Sequence, residues 1–143
     1  MKPYEKLYDE NGEYILDENY TEILRLDKML TEANIPHTLE RMMDGWCLLY
    51  PTKESAIADA IQHCGSYGSF ANLLEIMGLL TPEEEQRDSV KGWLTADDVF
   101  KRMSEHYSQY ADAYKKLAHP KGKTMTFKKF SCNPTEKDGG SNA

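Results

Sequence analysis

Cysteine is scarce in this chain, with three among 143 residues, at Cys47, Cys64 and Cys132. The number is odd and no pair has C-x-x-C spacing, so neither a disulfide framework nor a zinc knuckle is expected, and the sulfurs read as reduced thiols. Long apolar runs are missing too. Stretches such as Cys47-Leu48-Leu49-Tyr50 fall far short of the roughly 18 residues that a membrane span needs. The opening Met1-Lys2-Pro3-Tyr4-Glu5-Lys6 leads into acidic residues rather than an apolar segment, which predicts no secretory leader and a cytoplasmic protein. His37, His63, His106 and His119 form neither H-x-x-x-H nor H-E-x-x-H, and Glu83-Glu84-Glu85 would splay around a helix axis. No metal, no cofactor and no catalytic residue is therefore assigned.

What is present suits one domain. Apolar residues make up 40% of the chain and aromatics 10%, enough for a single core, while a mean hydropathy of -0.68 makes the rest very polar. Charge is uneven: residues 1–112 hold 22 acidic and 10 basic side chains, whereas residues 113–143 hold 2 acidic and 7 basic. An acidic body presents a negative surface to a basic protein partner. The basic end, with Phe127 and Phe130 among its lysines, lacks arginine, so nucleic acid is not the favoured partner.

The pattern of apolar residues predicts an α+β fold: an antiparallel sheet of four to five strands with two main helices packed on it. Asn11-Gly12 between two short aromatic runs suggests a small ribbon within an N-terminal extension, residues 1–18. Ile23, Leu26, Leu30 and Ala33 make one helical stripe over Thr21–Ala33, with Asp17, Asn19 or Thr21 as its cap and Asn34 as a left-handed exit. Met43-Asp44-Gly45 reads as a tight turn between strands His37–Met42 and Trp46–Tyr50. Both faces of the second strand are apolar, which predicts a central strand covered on both sides. Residues 54–64 fit a helix or a strand, and strand is preferred, pairing with Leu73–Met77 across a glycine loop. Thr81-Pro82 starts a short helix, Ser89–Leu94 reads as a strand, and Thr95 caps a long helix ending near Leu117. The domain is thus 19–118, followed by a basic, largely flexible tail, 119–143.

Two places could carry function. In His63-Cys64-Gly65-Ser66-Tyr67-Gly68-Ser69, two glycines, two serines and a tyrosine could cradle a small anion such as a nucleotide. With Arg41 and Trp46 nearby on the sheet, the candidate ligand set is Arg41, Trp46, His63, Gly65, Ser66, Tyr67 and Gly68. The same letters also describe an ordinary hairpin turn. Cys64 beside His63 allows a nucleotide- or peptide-directed hydrolase as an alternative, although neighbours on a strand point to opposite faces. Tyr107, Tyr110 and Tyr114 form an aromatic stripe on the long helix, an interface for a partner or for a second copy.

The segments Ile35-Pro36-His37-Thr38, Asp44-Gly45-Trp46, Gly65-Ser66-Tyr67-Gly68, Leu74-Glu75-Ile76-Met77-Gly78-Leu79-Leu80-Thr81-Pro82-Glu83-Glu84-Glu85 and Gly92-Trp93-Leu94-Thr95-Ala96 resemble small uncharacterised proteins of prophages and mobile elements of gut Firmicutes. The likeness covers roughly residues 22–107. It implies a phage-type accessory gene and raises the expectation of a non-enzymatic binding protein, one that inhibits a host defence system by holding a host protein or sequestering a small anionic ligand. A structural or regulatory dimerisation module is the other alternative.

Overall fold

A computed structural model describes residues 8–118, with side chains as far as Ala113. Helix α1 (Glu22–Glu32) is followed by strands β1 (Thr38–Met42), β2 (Gly45–Tyr50), β3 (Ala58–Gln62) and β4 (Leu74–Met77). Helix α2 (Pro82–Arg87), strand β5 (Val90–Leu94) and helix α3 (Ala96–Ala118) complete the order. The five strands form one antiparallel sheet in sequence order. The α+β reading holds, and within 54–64 the preferred strand is found over Ala58–Gln62, with turns on either side. The middle strand is β3, not β2, which lies between β1 and β3.

The register explains the core. Leu48 pairs with Ala60 and Ala60 with Ile76, so these side chains share the face on which α1 and α3 pack. Ile23, Leu26 and Leu30 of α1 meet Val99 and Met103 of α3 over Leu48, Tyr50, Leu74 and Ile76. Small Ala58 and Ala60 on the central strand let the helices approach closely. On the opposite face Met42, Cys47, Leu49, Ala56 and Ile61 form a second buried cluster. Cys47 there is fully buried, and Cys64 is a free thiol.

The turn between β1 and β2 consists of Met43 and Asp44, because Gly45 already pairs with Met42. Met43 takes the positive φ, 54°. Gly45 is needed for a different reason, since a Cβ there would overlap the carbonyl oxygen of Gln62. Among the described residues the expected ribbon at Asn11-Gly12 shows one bridge, Tyr8 to Tyr14, held by Asp9 accepting from the Asn11 and Glu13 amides at 2.8 and 3.0 Å. The basic tail and its expected flexibility lie outside the described residues.

Both long helices are started across the chain. Thr21 occupies the N-cap of α1, yet its side chain caps nothing there. Asn72 Oδ1, from the β3–β4 connection, accepts from the Thr21 and Glu22 amides at 3.1 Å each, and Gln62 Oε1 accepts from the Ile23 amide at 3.0 Å. Glu22 in turn accepts from the Ala96 amide at 2.7 Å, at the N-terminus of α3, which also has its Thr95–Asp98 capping box. The carboxyl of Glu22 is held low by its bonds to Arg25, which also reaches Asp97 at 2.8 Å. At α2, Arg102 of α3 grips Glu84 with two bonds of 2.7 and 2.8 Å and holds its carboxyl down at about 2. Deeper along α3, His106 Nδ1 lies 2.8 Å from the hydroxyl of fully buried Tyr50, and desolvation depresses the pKa of the ring.

Two outcomes follow from these contacts. Asn72→Gly keeps the left-handed backbone (φ 58°) but removes the trans cap and strands the Gln62 amide. It should cost about 2–3 kcal/mol, read as a lower urea midpoint with an unchanged m-value. For His106, the folded pKa lies below the unfolded value, so its contribution is complete above about pH 6.5 and declines as the pH falls below that. The urea midpoint should drop between pH 7.5 and pH 5, and His106→Gln should reduce that drop.

Candidate functional site

The glycine loop between β3 and β4 turns its donors inward. The Cys64 amide donates to Asp44 Oδ1 at 2.7 Å, Gly65 to His63 Nδ1 at 2.9 Å, Ser66 to the His63 carbonyl at 3.0 Å and Tyr67 to Glu75 Oε1 at 3.0 Å. The Ser66 hydroxyl accepts from the His63 amide and donates back to the His63 carbonyl. A phosphate cradle needs such N–H groups aimed outward. Here the four amides of Cys64, Gly65, Ser66 and Tyr67 are taken up by the protein's own carboxylates, a carbonyl and the His63 ring.

The residues predicted to form a ligand set make the following contacts within the protein. Arg41 lies over the ring of Trp46, 5.5 Å from its centroid, across the β1–β2 pair. His63, Gly65 and Ser66 form their own hydrogen-bonded turn. Tyr67 and Gly68 lie against β5: Tyr67 accepts from the Trp93 amide at 3.4 Å, and a Cβ on Gly92 would overlap the Cβ of Tyr67. The pKa of Cys64 is pushed up, first by burial and then by the Asp44 carboxylate. Such surroundings keep the thiol protonated and disfavour a nucleophilic role. His63 Nδ1 is already accepting from Gly65.

What the loop does present is aromatic. Tyr67 is 56% exposed, Phe70 66% and Trp93 54%. Phe70 and Trp93 meet edge to face, with centroids 5.3 Å apart and an angle of 89°. Phe70 stands in a single 3-10 turn, Ser69–Ala71, between left-handed Gly68 (φ 90°) and left-handed Asn72 (φ 58°). Trp93 has a φ of 63° at the register shift between β4 and β5. A bulky residue in that conformation costs on the order of 1–2 kcal/mol. Phe70 and Trp93 were not among the sequence-predicted site residues. Trp93 stands at the irregular step of the β4–β5 pair, where period-two alternation does not hold.

The tyrosine stripe of α3 is divided. Tyr107 is partly buried against the core, and Tyr110 is 48% exposed and stacks on His106 with centroids 4.6 Å apart. The Tyr114 side chain lies outside the described residues. A groove of about 610 Å³ runs between Leu79, Leu80 and Leu94 on one side and Asp98, Lys101, Arg102 and Glu105 of α3 on the other. Its Arg102 is committed to Glu84 and to the Leu79 carbonyl at 3.0 Å. Among the described residues no group of acidic, histidine and cysteine side chains could hold a metal, and no helix is long and apolar enough to cross a membrane.

The chain matches no protein-family model, no curated protein sequence and no solved structure. The aromatic patch is thus read from its own geometry. If Trp93 is displayed rather than packed, Trp93→Asn, which tolerates a positive φ, should cost less than about 1 kcal/mol in urea unfolding, against about 3–5 for a large aromatic lost from a core.

Proposed function

We propose that this chain is a non-enzymatic binding protein that holds a protein partner through the Phe70–Trp93 patch. One observation carries the reading: a tryptophan kept in a left-handed conformation with 54% of its surface exposed. Strain of this kind gathers at working surfaces, and tryptophan anchors dominate interface energetics. The acidic body, 22 acidic to 10 basic side chains over residues 1–112, favours a partner with a basic surface. The resemblance to prophage and mobile-element proteins supports an accessory role, with inhibition of a host defence system as the proposed setting. A second reading rests on Tyr110, whose exposed ring on α3 could join two copies.

The test is native mass spectrometry of the tagged chain recovered from host extract, beside Trp93→Asn and Tyr110→Ala. The expected result is one protein bound in stoichiometric amount by the wild type and by Tyr110→Ala, and lost with Trp93→Asn. A captured protein that survives Trp93→Asn together with Phe70→Ser would overturn the patch. A bound small molecule would overturn the protein-partner reading. A dimer mass abolished by Tyr110→Ala would favour the second reading.

A further inference from the structure

We infer that the Phe70–Trp93 patch takes a short proline-containing segment in the extended polyproline conformation, flanked by basic residues. This rests on the patch being the binding surface and names the kind of partner it fits.

Size argues first. Aromatic side chains carry about 150–250 Å² each, so three rings little more than half exposed offer roughly 350 Å². A standard interface between folded proteins covers about 800 Å² on each partner, while a short peptide is content with less. Shape argues next. Rings at 89° and 5.3 Å form a corner, which suits a compact, rigid apolar ring such as pyrrolidine better than a flat base or a long aliphatic side chain. Proline-rich segments dock on aromatic ridges because their conformation is set before binding.

Backbone chemistry narrows the choice. Addition of a regular strand along β5 is interrupted at Trp93, whose φ of 63° breaks the extended backbone and whose amide donates to Tyr67. A polyproline segment makes no internal hydrogen bonds, so its carbonyls can accept from the Trp93 indole N–H and the Tyr67 hydroxyl. Both sides of the corner are fixed in advance, Phe70 between two left-handed residues and Trp93 in one itself. Rigid on rigid keeps the ordering cost low. The basic flanks follow from the excess of acidic side chains in residues 1–112.

The experiment is a titration of the full chain, labelled for two-dimensional NMR, with a pool of Lys-flanked peptides sharing a Pro-x-x-Pro core, and with the same pool carrying alanine for both prolines. The expected result is a shift of the Trp93 indole and the Gly68 and Gly92 amides, saturating with a Kd on the order of 100 μM. The alanine pool should bind at least ten-fold more weakly, and Trp93→Asn should lose the response. Equal binding of both pools, shifts confined to other residues, or no shift at millimolar peptide overturns the inference. The partner capture described above is scored separately, so a Trp93-dependent partner without proline preference would retain the patch and remove only the polyproline occupant.

Discussion

The fold depends on how helix α1 disposes of its first amides. A helix leaves its leading N–H groups without intrahelical partners, and here the side chain of Thr21 at the N-cap does not take one up. Asn72 and Gln62, forty to fifty residues away in sequence, accept from Thr21, Glu22 and Ile23 instead. Gln62 is fully buried on the central strand, and its own amide group donates to Asn72 at 2.7 Å. A buried amide side chain such as that of Gln62 is costly when left incomplete, so these bonds tie the sheet, the loop and the helix together. The adjoining Glu22 carboxylate extends the link to the start of α3 through the Ala96 amide.

The same bonds fix the loop that carries the aromatic patch. Asn72 ends the turn in which Phe70 stands, so capping α1 also sets the position of that ring. At the loop's other end, buried Asp44 receives the Cys64 amide at 2.7 Å and the Tyr20 hydroxyl at 3.1 Å. Burial of the phenol, with that carboxylate close by, drives the Tyr20 pKa far above its ordinary range. A buried carboxyl group that accepts from both donors is costly to uncouple from them. The loop is clamped at both ends, and the patch is organised before any partner arrives.

Much of the fold was legible because it is written locally. The stripe of Ile23, Leu26 and Leu30 found α1, and Thr81-Pro82 found the start of α2, where the structure adds a Thr81–Glu84 capping box. The period-two reading of residues 54–64 held because Ala60 and Ile61 are covered on opposite faces. The ligand loop was less legible. Its glycines and serines have the composition of an anion cradle, but the direction of each N–H depends on Asp44 and Glu75, which sequence proximity does not reveal. The trans caps are invisible for the same reason, since Asn72 has no local mark of its partnership with Thr21. Phe70 and Trp93 escaped because their pairing is made by a register shift between β4 and β5, and periodicity assumes a regular ladder.

The energetics of Trp93 separate its two possible duties. A core tryptophan offsets its ordering by burying most of its surface, about 1.5–3 kcal/mol or more for a large side chain. Trp93 leaves over half its surface in water, holds a backbone conformation that costs about 1–2 kcal/mol, and gains from Phe70 an edge-to-face contact worth about 0.5–1.5. Those two terms nearly cancel, so in folding the tryptophan is favoured chiefly by the part of its ring that is buried. Asparagine would accept the same φ with less apolar surface in water. A partner that covers the ring would add a further term, since the buried area then enters the free energy of association rather than of folding. The trans-capped loop provides what such a contact requires, a ring held still at little further entropic cost.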